Sequence, residues 1–140
     1  MTKYEIVQEI LELENDVKVE KNQIAVAEGK ITELSTLKSY CVGYQEQFEK
    51  SKLKRKTRLE EFRNISGQAN LINKYSGTML DALDGYEYIN ASNNLESAKS
   101  VIEYEIVLQR ETINRCNIEL SKLYSSINSK KQELMDLEEE

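Results

Sequence analysis

The sequence contains no proline, no tryptophan and no histidine, and only five of its 140 residues are glycine. Proline is the strongest helix breaker, so its absence permits helices far longer than average. The lack of histidine removes the side chain that most often performs acid–base chemistry, and the sequence has no glycine-rich phosphate loop. We therefore predict no enzymatic activity, no bound cofactor and no metal site.

Long apolar runs are also missing. No stretch of 18 or more apolar residues occurs, so we expect no transmembrane helix. The N-terminal sequence "MTKYEIVQEILELEND" lacks the apolar core and cleavage site of a secretory signal peptide. The net charge of −6 and the pI near 4.9 argue against a nucleic-acid partner. These features predict cytoplasmic residence, or export without a cleaved signal peptide.

What the sequence does contain is a heptad pattern, which begins near the N-terminus. Thr2 and Glu5 form a capping box that predicts a helix start. Steps of three and four residues then reach thirteen positions, ten of them apolar, which is typical of one helix of a coiled coil. These positions are Ile6, Ile10, Leu13, Val17, Glu20, Ile24, Ala27, Ile31, Leu34, Lys38, Cys41, Gln45 and Phe48.

The same pattern returns in the last third of the chain, where eleven of thirteen positions are apolar. They are Leu95, Ala98, Ile102, Ile106, Gln109, Ile113, Cys116, Leu120, Leu123, Ile127, Lys130, Leu134 and Leu137. We call both sets the seam positions. They predict an all-α fold, a long antiparallel two-helix hairpin of coiled-coil type. Because Cys41 and Cys116 occupy seam positions at different levels, we interpret both as core residues and exclude a disulfide between them.

The seam leaves two pairings open. If residues whose numbers add up to about 140 face each other, Val17 meets Leu123 and Leu13 meets Ile127. If the residue numbers instead add up to about 147, a shift by one heptad, apolar residues still face each other. The residues nearest the two termini then have no partners on the opposite helix. The sequence does not decide between them.

The two helical arms meet in a segment with the two Ser-Gly pairs of the chain, "NISGQAN" and "KYSGTM". Serine caps helices and glycine ends or reverses them, so we place the bend within 64–77. The chain then forms one domain, with the first arm over about 2–62, the bend over 63–77 and the second arm over about 78–138. We expect the second arm to continue through "NASNN" at 90–94.

The basic stretch 50–63 is interpreted as a solvated helix rather than a phosphate-binding patch.

Apolar residues around and beyond the bend are candidates for partner binding, since tyrosine and methionine are enriched at protein interfaces. The alternative is that bulky side chains close the end of the hairpin. Several apolar residues also lie off the seam in both arms, as expected if the hairpin packs against further helices. The candidate partner-binding residues are Ile72, Tyr75, Gly77, Met79, Leu83, Tyr86 and Ile89.

The segment Tyr75-Ser76-Gly77, followed by a helical pattern, resembles the W-x-G turn of the helical-hairpin proteins of bacterial type VII secretion. The chain is most similar to the longer helical partners encoded beside LXG-domain toxins. It departs from the pattern in three ways: tyrosine replaces tryptophan, the arms are longer than those of the shortest members, and the C-terminal Tyr-x-x-x-Asp/Glu export signal is absent. The resemblance implies a non-catalytic adaptor that binds the helical N-terminal domain of a toxin, together with a second small helical protein in some assemblies, and helps deliver the toxin.

A second hypothesis remains open at this point. A self-associating coiled coil, such as a homodimeric structural or scaffold protein, also accounts for the seam. It does not require the off-seam apolar residues or the tyrosines near the bend.

Overall fold

The computed structural model describes residues 2–65 and 70–139, apart from the side chains of residues 62, 63, 65 and 70–73. The described residues form α1 (Lys3–Ile65), α2 (Asn70–Leu83) and α3 (Tyr86–Glu139), and none of them lies in a strand. The predicted all-α helical hairpin is confirmed.

Helix α1 begins at the predicted capping box. The Thr2 backbone N–H donates to Glu5 Oε2 at 2.9 Å, and the Glu5 N–H donates to Thr2 Oγ1 at 3.2 Å. The two side chains thus satisfy donors that would otherwise lack partners in the first turn. With no proline to interrupt it, α1 continues for 63 residues.

The end of α1 and the start of α2 both fall within the predicted bend. Residues 66–69 of that segment lie outside the described residues. Residues 70–77 belong to α2, so Tyr75-Ser76-Gly77 is helical and does not occupy a turn. This corrects the expected position of the motif that carries the resemblance.

A second interruption, which the sequence analysis missed, separates α2 from α3. Helix α2 ends at Leu83. Just after it, the Gly85 N–H donates to the Ala82 carbonyl at 3.1 Å, a bond that spans three residues instead of the four of a regular α-helix. The Ile89 N–H bonds to the Gly85 carbonyl at 3.2 Å and continues the chain into α3. As predicted, the helix then runs without a break through residues 90–94.

The chain divides into two compact units. Unit 1 contains residues 1–34 and 105–140, and unit 2 contains residues 35–104. In unit 1, Val17, Leu123 and Ile127 form a buried cluster against which Leu13 and Leu120 pack. All five are seam residues, so the apolar stripe predicted for each helix forms the core of this unit.

The contacts within each unit select the pairing near 140. In unit 1, Lys3 bonds Glu138 at 3.1 Å and Lys130 bonds Glu9 at 2.8 Å. In unit 2, Lys38 pairs with Glu103 at 3.1 Å, and Gln45 Nε2 donates to Glu96 at 2.8 Å. The residue numbers of each pair add up to about 140, so the alternative shifted by one heptad is excluded.

These pairs also explain the polar residues in the seam. Lys38, Gln45 and Lys130 are half-buried at seam positions, and each reaches a side chain on the opposite helix. The hydrogen bond to Glu9 raises the pKa of Lys130, which therefore keeps its charge. Long side chains of this kind cover apolar surface with their stems while their polar ends remain paired.

Both cysteines are free thiols, Cys116 buried and Cys41 half-buried. The Cys116 Sγ–H donates to Gln23 Oε1 at 3.5 Å. Burial, and then the neighbouring Glu20 carboxylate, raise the pKa of the Cys116 thiol. Cys116 is therefore an inert core residue, as its seam position predicted.

Candidate partner-binding surface

The junction between α2 and α3 is fixed to α1 by charge. Asp84 accepts a hydrogen bond from Lys56 and lies 3.8 Å from Lys52. The bond from Lys56 is the main reason why the pKa of the Asp84 carboxyl lies below its usual value. Lys52 and Lys56 are four residues apart and thus occupy neighbouring places on one face of α1. Two of the basic residues in 50–63 therefore have a structural role.

Tyr88 makes the next contact between α3 and α1. Its hydroxyl oxygen accepts a hydrogen bond from Arg55 at 2.7 Å. Its ring lies 5.3 Å from the Phe48 ring, with the planes inclined at 34°. Tilted aromatic pairs at such distances are favourable beyond the area they bury. Tyr88 is thus held at both its apolar ring and its polar end.

A cleft of about 360 Å³ lies beside Tyr88 and is mainly apolar. Side chains from all three helices of unit 2 line it, and they are Arg55, Arg58, Leu59, Met79, Ala82, Leu83 and Tyr88. Two of these residues are arginines and none carries a negative charge. The cleft therefore combines an apolar floor with positive charge.

A second groove, of about 420 Å³, shares Arg55 and Tyr88 with the cleft. Its other lining residues are Tyr44, Gln47, Phe48, Ser51 and Leu95. The hydrogen-bonded residues Arg55 and Tyr88 therefore contribute to both depressions. Aromatic and apolar side chains line both, as is common where proteins meet.

The structure exposes four of the predicted partner-binding residues. Tyr75, Met79, Tyr86 and Ile89 are exposed, with Tyr86 at 79%. Gly77 is half-buried within α2, and the side chain of Ile72 lies outside the described residues. Two of the predicted partner-binding residues, Met79 and Leu83, line the apolar cleft.

Leu83 is the most buried of the predicted partner-binding residues whose side chains the structure describes, at 5% exposure. It is the last residue of α2 and lies just before the Asp84 junction. What it exposes belongs to the lining of the cleft, so its contact with a partner stays a prediction.

Sequence reasoning missed Arg55, Arg58, Leu59 and Tyr88 as residues of this surface. The basic stretch was visible in the sequence, but its residues point around the helix and indicated a solvated segment. Their association with Tyr88 depends on the position of the helix break at 84–85. Without that break, the facing residues of α1 and α3 could not be assigned.

Exposed apolar residues continue beyond the cleft in each unit. In unit 1, α1 exposes Tyr4, Leu11, Val19 and Val26, which are spaced by seven or eight residues and so share one face. In unit 2, α1 exposes Leu37, Tyr40 and Tyr44. These off-seam residues form apolar stripes that the hairpin itself does not cover.

Within the described residues, no group of three or more histidine, cysteine, aspartate or glutamate side chains is arranged to hold a metal ion. No helix in residues 2–65 or 70–139 has both the length and the apolar character required to span a membrane. Comparisons with protein-family models, curated proteins and solved structures found no match.

Proposed function

We propose that this protein is a non-catalytic adaptor that binds a helical partner protein. The observation that carries the proposal is the surface formed by Tyr75, Met79, Tyr86 and Ile89, four large side chains exposed around the α2–α3 junction. Clustered exposed apolar groups are unusual on a protein that acts alone, and tyrosine and methionine are common at interfaces. The off-seam stripes extend the area available to another helix.

Helical recognition suits this surface. An amphipathic helix places side chains in a groove at intervals of three and four residues, and its polar face remains in water. The cleft and the groove that share Tyr88 are lined by more than one helix of unit 2, and a position between helices is common for such binding sites. The net charge of −6 disfavours nucleic acid as the partner.

The resemblance to type VII secretion proteins indicates which partner to test. In this proposal, the adaptor binds the helical N-terminal domain of a toxin in the cytoplasm, alone or with a second small helical protein, and helps bring it to the secretion machinery.

A self-associating coiled coil is the second candidate. It is favoured by the stripe of Tyr4, Leu11, Val19 and Val26, whose heptad-like spacing would suit packing against a second copy. It gives no role to the exposed residues around the α2–α3 junction.

Light scattering after size exclusion separates the two candidates. The purified chain is measured alone and with the helical N-terminal domain of an LXG-domain toxin as the candidate partner. The adaptor hypothesis predicts a stoichiometric complex. A stable homodimer whose mass does not change when the toxin domain is added would support the structural coiled coil instead.

A matched pair of variants tests the surface. Ile89 and Ile118 are both exposed isoleucines of α3, but Ile89 follows the α2–α3 junction in unit 2, whereas Ile118 belongs to unit 1. Ile89→Ser should weaken the complex by about tenfold, since a central apolar contact is commonly worth 1 kcal/mol or more. Ile118→Ser should leave affinity within about twofold. Equal losses would show that this surface has no special role.

A further inference from the structure

We infer that the cleft beside Tyr88 receives an acidic amphipathic helix, whose apolar side chain enters the cleft while its carboxylates meet Arg58 and Arg55. The inference rests on the proposed adaptor function and specifies the chemistry of the partner. It is carried by the juxtaposition of an apolar floor, Leu59, Met79, Ala82 and Leu83, with two guanidinium groups and no carboxylate among the lining residues.

The volume of the cleft suits such a ligand. At about 360 Å³ it is near the lower end of the range of about 300–1,000 Å³ that is typical of binding pockets. A large apolar side chain, such as leucine or phenylalanine, can enter it, whereas a whole helix cannot. The remainder of the helix would therefore lie across the rim, where the arginines are placed.

The charges around the cleft distinguish the arginines from the other basic residues. Lys52 and Lys56 share the single carboxylate of Asp84, which offsets one of their two charges, and none of these three residues lines the cleft. Arg55 donates to the uncharged Tyr88 hydroxyl, and Arg58 has no ion-pair partner among the described side chains. Two positive charges thus remain available on a chain whose net charge is −6.

Charge complementarity selects the occupant. A guanidinium group binds a carboxylate through paired hydrogen bonds, and this geometry gives both strength and orientation. A basic helix would bring like charges together beside an apolar surface, where repulsion is poorly screened. An acidic helix with an apolar anchor satisfies the floor and the rim simultaneously.

The test compares two charge reversals on the same stretch of α1. Arg58→Glu changes a residue that lines the cleft. Lys54→Glu makes the same kind of change four residues earlier, at an exposed residue that is not part of the cleft lining. Binding to the same LXG-toxin domain is measured by calorimetry at low and high salt. Circular dichroism checks that both variants remain folded.

We expect Arg58→Glu to weaken binding by about tenfold or more and to reduce its salt dependence, because close charge pairs at an interface contribute strongly. Lys54→Glu should change the affinity by less than about threefold. If the wild-type chain binds the toxin domain and Arg58→Glu binds it equally well, the inference is wrong while the adaptor function stands.

If the toxin domain does not bind at all, the proposed function fails and a second probe decides the inference. Two fluorescein-labelled helical peptides carry leucine at every third or fourth position, flanked by glutamate in one and by lysine in the other. Preferential binding of the glutamate peptide, lost in Arg58→Glu, supports the inference. Equal binding of the two peptides would overturn the inference. It would also be overturned if the chain alone forms a homodimer that the Arg58→Glu variant does not form, since the cleft would then be occupied by a second copy of the chain.

Discussion

Ser76 shows how much a single buried group can matter in a thin core. Its side chain is 0% exposed, and its Oγ has no hydrogen-bond partner among the described residues. A buried hydroxyl without a partner costs about 1–3 kcal/mol, because it loses its bonds to water. Ser76 lies inside α2, so its unpaired hydroxyl makes the packing of α2 within unit 2 less favourable.

We predict that Ser76→Ala raises the free energy of unfolding by about 1 kcal/mol, as measured by urea denaturation. Alanine removes the unpaired oxygen and is also the better helix former. Ser100→Ala, at an exposed position of α3 in the same unit, controls for helix propensity alone and should give a smaller gain. A loss of stability in Ser76→Ala would show that the hydroxyl has a partner in solution.

At the scale of elements, the junction at Asp84 and Gly85 determines how the chain after α2 meets α1. The Lys56 and Lys52 contacts hold Asp84, and the tight turn at Gly85 ends α2. Gly85 does not adopt a positive φ. What requires glycine here is the space around it, because an added Cβ would lie 3.1 Å from the Ala82 carbonyl oxygen and 3.3 Å from that of Asp81.

We predict that Gly85→Ala lowers the free energy of unfolding by about 1 kcal/mol or more, because the atoms it meets belong to the backbone and cannot rotate away. Gly43→Ala is the matched control, since Gly43 lies within α1 in the same unit and has open space around it. That change should stabilise by up to about 1 kcal/mol. Opposite signs in thermal or urea unfolding would confirm the packing argument, and two gains would contradict it.

The Asp84 ion pairs predict a dependence of stability on pH. Since the pKa of the folded carboxyl lies below its ordinary value of 3.8, the contribution of Asp84 is complete above that value and is lost as the pH falls through the lower, folded pKa. Asp84→Asn should therefore unfold at a slightly lower temperature than the wild type at pH 7. The difference should vanish well below pH 3.8, where both side chains are neutral.

Asp81→Asn provides the control for this measurement. Asp81 is exposed in α2 and forms no ion pair within the described part of the chain. Its substitution should leave the unfolding temperature nearly unchanged at both pH values. If the two variants behave alike, the contacts of Asp84 with Lys52 and Lys56 contribute nothing measurable, which is the outcome for many exposed ion pairs.

At the scale of the whole molecule, the distinction between seam and off-seam residues organises both stability and binding. Val17 and Val19 illustrate it, because they are two residues apart in α1 and have exposures of 7% and 49%. Val17 belongs to the core cluster of unit 1, whereas Val19 lies in the exposed stripe. The same residue type thus has different roles on two faces of one helix.

We predict that Val17→Thr lowers the free energy of unfolding by about 1–3 kcal/mol, because it buries a hydroxyl in an apolar cluster. Val19→Thr should change it by less than about 0.5 kcal/mol, as surface substitutions usually do. Urea denaturation of the two variants provides the measurement. Similar losses in both would mean that the exposed stripe is covered, and self-association of the chain would be the first explanation to examine.

Much of this architecture follows from the sequence alone. The capping box at Thr2 and Glu5, the length of α1 and the seam are local or periodic properties, because they depend on residues within a few turns of one another. The inert character of Cys116 follows from its seam position as well. Tyr75, Met79, Tyr86 and Ile89 are exposed, and their contact with a partner stays a prediction.

Only the tertiary structure decided the pairing of the helices, the break at Asp84–Gly85, the burial of Leu83 and the cleft between Arg58 and Tyr88. A heptad pattern repeats every seven residues, so it is equally satisfied by pairings one heptad apart. Contacts such as Lys130 with Glu9 break that degeneracy because they join specific residues distant in sequence. Periodicity determines which face of a helix is buried, whereas long-range contacts determine which residues lie opposite one another.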